Sequence, residues 1–198
     1  MLPGSMLRVN VLSRSVLRVN LLRRSVGSVH SPNELDLRVG RIREIALHEN
    51  ADTLYVSQVE IDDDGGIVQV CSGLRGIIPA NVLEGRRVVL VRNLKPSKMR
   101  GVKSEAMLLC AARTDVETSK LIVEPVKPAD ECNLGERVMF STAEPVDVPK
   151  RLKSAVWTEI ADRLRVNAEG KVVFSEEGDV HVLDKCTVPT EFAGSEVR

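Results

Sequence analysis

From Leu35 onward, apolar and polar residues alternate with period two, and this limits the fold more than any other feature of the chain. Leu35, Leu37 and Val39 fall on one face of a strand and Asp36 and Arg38 on the other. Ile42 and Ile45 to Leu47 continue the pattern into a long, bent first strand. Leu54 to Ile61 alternates again, Asp62-Asp63-Asp64-Gly65-Gly66 turns the chain, and Ile67 to Cys71 returns, which predicts a hairpin. The acidic turn invites a calcium reading, but a calcium loop needs spaced ligands closed by a Glu at the twelfth position. That Glu is absent, so a solvated turn is expected. Pro79 to Leu83 suits a helical turn, Arg86 to Arg92 a strand, and Ser104 to Ala112 another. Five strands with a short helix between the third and fourth follow the order of an OB-fold barrel.

Beyond Arg113 the signals are shorter. Apolar pieces at Leu121 to Val126 and Arg137 to Phe140 flank a turn at Leu134-Gly135-Glu136. Leu152, Val156, Ile160 and Leu164 then repeat at helical spacing, which predicts the longest helix over Lys150 to Leu164. Val172 to Phe174 and Val180 to Leu183 read as short strands around Gly178, and the tail from Thr187 reads as polar and irregular. The expected architecture is mainly β: a five-stranded OB-fold barrel over residues 35–113, and an appended smaller β-rich domain carrying one helix over 114–198. Only 3% of the chain is aromatic, so both cores must rest on Val, Leu and Ile.

Residues 1–34 have a different character. Met1 to Met6 resembles a cloning scar. Two ten-residue copies follow, Leu7 to Val16 and Leu17 to Val26, matching at eight of ten positions. Their acid-free Leu/Arg/Ser/Val composition fits a mitochondrial transit peptide, a basic RNA-gripping arm or a misplaced gene start equally well. Gly27 to Glu34 reads as a flexible linker. No apolar run approaches the roughly 18 residues of a membrane span, so no membrane partner is expected. Cys71, Cys110, Cys132 and Cys186 contain no C-x-x-C pair, which argues against a zinc site or a disulfide framework and for a reducing compartment. His48 and His181 have no partners at metal spacing. No Ser/His/Asp set and no paired carboxylates stand out, so neither an enzyme nor a cofactor is expected.

The zero net charge hides an asymmetry. Five Arg and no acid lie before Asn33, which leaves the body mildly acidic. Within that body, Arg86, Arg87, Arg92, Lys95, Lys98, Arg100 and Lys103 form a run without a single Asp or Glu. Arg and Lys between two strands place charge-assisted donors within reach of phosphates. Asn93 and Ser104 can serve sugar, phosphate or base edges, or can tie the segment to its own backbone. Arg41 and Arg43 on the first strand either widen the patch or stand solvated. The candidate RNA-binding residues are therefore Arg92, Asn93, Lys95, Lys98, Arg100, Lys103, Ser104, Arg41 and Arg43. Pro96 and Gly101 shape the segment, and Met107 belongs to the core. With so few aromatics, recognition should follow backbone shape rather than base stacking.

The stretch Asn93-Leu94-Lys95-Pro96-Ser97-Lys98-Met99-Arg100-Gly101, continuing to Ser104 and Met107, resembles the signature of the tRNA-binding OB-fold family. That family includes bacterial tRNA-binding dimers, C-terminal extensions of methionyl- and tyrosyl-tRNA synthetases, and endothelial monocyte-activating polypeptide II. Leu35 to Gly40, His48 to Val56 and Ser72-Gly73-Leu74 are similar to further family segments, and the part from Pro149 through Trp157 to the C-terminus is similar to the domain appended in the polypeptide II branch. The resemblance implies a non-catalytic protein with two partners: tRNA, and an aminoacyl-tRNA synthetase of the methionyl or tyrosyl type. It also implies a monomeric body in which the appended domain mimics a second subunit. The expected location is cytoplasmic, or mitochondrial if the basic segment is a transit peptide. A class I synthetase reading of Lys95 to Met99 fails for want of an H-x-G-H partner and a Gly-rich phosphate loop. An interaction scaffold or cytokine-like module is the alternative. The first-strand segment carrying that activity in the branch is matched by Arg38 to Arg43, but Glu44 stands where the family has Thr.

Overall fold

A computed structural model describes residues 30–62 and 64–198; the scar, the duplication and the first three residues of the expected linker, 27–29, lie outside the described residues. Strand β1 (Leu37–Leu47) pairs antiparallel with β2 (Tyr55–Glu60) on one side and β4 (Arg87–Val91) on the other. With β3 (Ile67–Ser72) beyond β2 and β7 (Met107–Leu108) beyond β4, the sheet order is β3-β2-β1-β4-β7. A register shift between Ile42 and Glu44 bulges β1 and gives the expected bend. The sheet's two edges meet where Glu105 N donates to Gln69 O at 2.8 Å and Cys71 N to Ser104 Oγ at 2.9 Å. Helix α1 (Ala80–Leu83) follows Pro79 between the third and fourth strands. This is the OB-fold barrel expected from the sequence.

The middle of the barrel sheet, at β1 and β4, faces two cores. Ile42, Val59, Val70, Val88, Leu90 and Leu108 fill the barrel under Leu83. The intervening residues Leu37, Val39, Val89 and Val91 point the other way, into a second core with Leu109, Phe140, Leu164, Phe174 and Val197. The run Val88-Val89-Leu90-Val91 shows this in sequence: four adjacent residues at 0% exposure serve two cores alternately. Each fully buried Val or Leu contributes about 1.5–3 kcal/mol. Gly40 permits the close approach of β1 and β2, since a Cβ there would stand 2.8 Å from Val59 Cγ1.

The second core is built on a six-stranded sheet of order β13-β12-β11-β15-β8-β9. Its strands are β8 (Cys110–Thr114), β9 (Leu121–Pro125), β11 (Leu164–Val166), β12 (Val172–Glu176), β13 (Asp179–Val182) and β15 (Glu196–Val197). A short pair, β10 (Lys127–Pro128) with β14 (Cys186–Thr187), and helix α2 (Ser154–Ala161) complete the smaller β-rich unit. Position 113/114 lies within β8.

Four local expectations need correction. The continuous strand from Ser104 to Ala112 is broken, because Leu108 packs in the barrel and Leu109 in the second core, and the chain crosses between sheets there. The helix expected over Lys150 to Leu164 covers only Ser154–Ala161. Leu152 is buried ahead of it, and Leu164 opens β11 opposite Phe174, so strand pairing takes over from helix extension. The tail is structured: β15 sits between β8 and β11, and Arg198 exchanges backbone hydrogen bonds with Cys110 at 2.6 and 2.8 Å. Finally, the last residues of the expected linker are docked. Asn33 is buried, donates from Nδ2 to Phe140 O at 3.1 Å and accepts from Phe140 N at 2.9 Å.

Candidate nucleic-acid interface

The basic segment is a hairpin, not a loop. Strands β5 (Ser97–Met99) and β6 (Val102–Ser104) pair antiparallel, with Arg100 and Gly101 as the connecting residues. Both connectors have positive φ, 49° and 95°, as a two-residue turn of this hand requires. Glycine takes that conformation freely, whereas a residue such as Arg100 is strained by about 1–3 kcal/mol. Lys98 lies directly opposite Lys103, a like-charge pair that works against the hairpin. Local departures of this kind cluster at functional sites.

Neighbouring residues brace the hairpin against those costs. His48 is buried and accepts from Asn50 N on Nδ1 at 3.0 Å, so its Nε2 carries the proton and donates to Met99 O at 2.9 Å, next to the tip. Gln69 Nε2 donates to Lys103 O at 2.7 Å. The Glu105 carboxylate accepts from Lys103 Nζ at 2.7 Å and from Gln69 N at 3.2 Å. Those two hydrogen bonds, with the nearby Lys103 and Arg92 charges, hold the Glu105 carboxyl below the usual carboxylate range. The cations are therefore displayed on a scaffold that is ordered in advance, which limits the entropy lost on binding.

Lys95, Lys98 and Arg100 are exposed and make no ion pair with any described residue. Lys103 is exposed and shares its charge with Glu105, and Arg92 is half-buried at the start of the segment. The other two members of the basic run serve the second unit instead. Arg86 pairs with Glu124, and Arg87 donates to the carbonyls of Asp130 and Cys132. Arg41 and Arg43 are exposed but lie elsewhere. The hairpin meets β1 at its Leu47 end through His48, and six residues at about 3.3 Å each put Arg41 roughly 20 Å up the strand. Arg43 pairs there with Glu60 at 3.3 Å.

Asn93 and Ser104 also differ from the candidate list, since both are buried and fully committed. Ser104 Oγ accepts from Cys71 N and donates to Ala106 O, each at 2.9 Å. Asn93 Oδ1 accepts from Asp36 N at 3.1 Å, and its Nδ2 donates to Glu34 O at 2.8 Å and Pro149 O at 3.1 Å. Leu152 N further donates to Asn93 O at 2.7 Å. Asn93 thus ties the root of the hairpin to residues 149–152. Lys150, Arg151 and Lys153 on that tethered segment are exposed and make no ion pair with any described residue. Sequence reasoning did not single out these three. The available signal was Leu152 standing alone among cations, an anchor that faces three charges outward.

The arrangement can neutralise a row of phosphates and offers little else. Tyr55 and the three Phe are buried and Trp157 is half-buried, so the described residues supply no exposed aromatic platform for bases. No described group of three or more His, Cys, Asp or Glu is placed to hold a metal ion. No described helix is long and apolar enough to cross a membrane.

The family model described as "Putative tRNA binding domain" matches residues 37–137, which span the barrel and the hairpin. Among curated proteins, the tRNA-aminoacylation cofactor arc1 of Schizosaccharomyces pombe is 36% identical over 155 residues, covering 77% of this chain and 33% of that protein. The cytoplasmic tyrosine–tRNA ligase of Gallus gallus is 38% identical over 141 residues, covering 70% of this chain and 26% of that protein. The match therefore spans a third or less of either relative. The crystal structure of the C-terminal domain of Plasmodium vivax p43 is similar with a TM-score of 0.67 and 25% identity, covering 84% of this chain and 98% of that one. The braced cationic hairpin lies within the span that the family model matches, and the chain belongs to the tRNA binding domain family.

Proposed function

We propose that this protein binds tRNA without catalysing a reaction, and serves in the cytoplasm as an accessory to, or an appended part of, an aminoacyl-tRNA synthetase of the tyrosyl or methionyl type. The observation that carries this reading is the hairpin from Ser97 to Ser104, which displays Lys98 and Arg100, free of ion pairs among the described residues, despite local strain and like-charge pairing. Lys95 precedes it, and Lys150, Arg151 and Lys153 extend the surface through the Asn93 tether. Each phosphate neutralised releases counterions, so binding is steeply salt-dependent. Because the described residues offer no exposed aromatic to read bases, selectivity follows the shape of the tRNA backbone. Holding tRNA beside a tethered synthetase raises its local concentration there. Residues 35–113 supply the main grip. Residues 114–198 supply the cationic extension and stand in for a second subunit in a monomeric body.

The test is binding of fluorescent bulk tRNA across a salt series, with a DNA duplex as competitor. Lys95→Ala/Lys98→Ala/Arg100→Ala should weaken binding to all tRNAs and lower the log–log salt slope by about 0.7–0.9 for each phosphate contact removed. Lys150→Ala/Arg151→Ala/Lys153→Ala should act in the same direction. Equal affinity for DNA, or a hairpin variant that binds as well as wild type, overturns the proposal in favour of a synthetase-docking or signalling module.

A further inference from the structure

Beneath the cationic hairpin lies a cavity of about 350 Å³ whose walls include Leu94, Met99, Ala106 and Met107. This is at the lower end of the roughly 300–1,000 Å³ of small-molecule sites. Ser72 also lines it, and its hydroxyl oxygen is buried without a hydrogen-bond partner among the described residues. A buried polar atom left unpaired costs about 1–3 kcal/mol, so Ser72 marks a position where an incoming group gains a hydrogen bond. Two charged residues line the same cavity: Glu105, whose charge is met by Lys103, and Lys95, exposed and free of ion pairs among the described residues.

We propose that this cavity takes a single unstacked nucleobase from the RNA held by the hairpin, so that the protein reads a splayed nucleotide as well as backbone shape. The inference rests on the RNA-binding reading above. The two thioethers and Leu94 give the flat faces of a base an apolar, polarisable enclosure. Ser72 Oγ is both donor and acceptor and can bond the edge of any base. Lys95 complements the phosphate that must accompany the base to the mouth. That charge favours a nucleotide over an apolar protein side chain, which carries no anion. Splayed bases of loops and ends are the part of RNA open to such capture.

The wild-type chain, labelled with ¹³C at its methionine methyls, tests this by NMR during titration with adenosine, cytidine, guanosine and uridine monophosphates. The expected result is saturable movement of the Met99 and Met107 signals, with Met139, which is not in the cavity wall, unmoved. In Ala106→Leu, which fills the cavity, the movement should vanish and tRNA affinity fall roughly 5-fold or more. Ser72→Ala, which leaves the cavity open, should weaken nucleotide binding without abolishing it. Three outcomes of the titrations overturn the proposal. They are shifts reproduced by inorganic phosphate, shifts produced by N-acetyl-leucine amide but not by nucleotides, and no shift of Met99 or Met107 with any nucleotide while bulk tRNA still binds. In the last case the RNA-binding reading survives; nucleotide shifts without any tRNA binding would instead sink that reading and leave the cavity as a site for free nucleotides only, which overturns capture of a base from bound RNA.

Discussion

Asn93 uses its amide in both senses: the oxygen accepts from Asp36 N, and the nitrogen donates to the carbonyls of Glu34 and Pro149. Asn93→Ala leaves one donor and two acceptors, all partly buried, without their partner, and should lower stability by about 2–4 kcal/mol. For a chain of this length, that corresponds to a fall in Tm of roughly 5–15 °C in a thermal melt. Asn93→Asp should cost at least as much, because it faces a second carboxylate oxygen toward two carbonyls and can donate to neither. An Asn93→Asp variant with wild-type Tm would show that the tether is dispensable. This residue also marks the limit of what the sequence can yield. A short polar side chain beside a basic run is consistent with either RNA contact or backbone bonding, and only its distant partners decide between them. Those partners are carbonyls of Glu34 and Pro149, which no local pattern announces. Lys95, Lys98 and Arg100 were legible because exposure is the ordinary state of such residues. Arg86 and Arg87 belonged to the same run but were claimed by acceptors in the second unit.

At the scale of elements, the β5–β6 hairpin was hidden by its composition, since Pro, Ser, Lys and Gly carry little strand signal. Its structure depends on the turn and on its docking to β3. Gly101→Val places a branched side chain at φ 95° and should cost the hairpin about 1–2 kcal/mol. The expected outcome is a several-fold loss of tRNA affinity with only a few degrees' change in Tm; equal affinity would mean that hairpin geometry does not matter to binding. Docking through Glu105 has a defined pH dependence. Its carboxyl is depressed in the folded state, chiefly by the Lys103 hydrogen bond and then by the Gln69 amide. The stabilisation it brings is therefore complete above the ordinary carboxylate range and is lost as pH falls through the lowered folded value. Followed by NMR, the Gln69 amide proton should move with a midpoint below the ordinary carboxylate value, and Lys103→Ala should raise that midpoint.

At the scale of the whole molecule, the alternation from Leu35 identified the barrel, while the way the second unit joins it was not legible. Both faces of β4 are apolar, and a two-faced strand reads in sequence simply as a hydrophobic run; β1 turns Leu37 and Val39 to the second core and Ile42 to the barrel. The second core gathers Leu35, Leu37 and Val91 with Phe174, Phe192 and Val197, so residues from the two ends of the described chain share one interior. β15 completes it from within two residues of the last residue given, between β8 and β11. The barrel and the second unit should accordingly unfold together, giving a single calorimetric transition whose van't Hoff and calorimetric enthalpies agree. Two resolved transitions would show that the units fold independently and that the shared core contributes little. Deleting Glu196 to Arg198 removes the fully buried Val197 and the paired backbone bonds to Cys110, and should cost about 3–5 kcal/mol. The hairpin is not touched by this deletion, but the surface carrying Lys150, Arg151 and Lys153 loses the sheet beneath it. The truncated protein should therefore bind tRNA more weakly at temperatures well below its own melting point. Full affinity there would mean that the second unit adds stability and no grip.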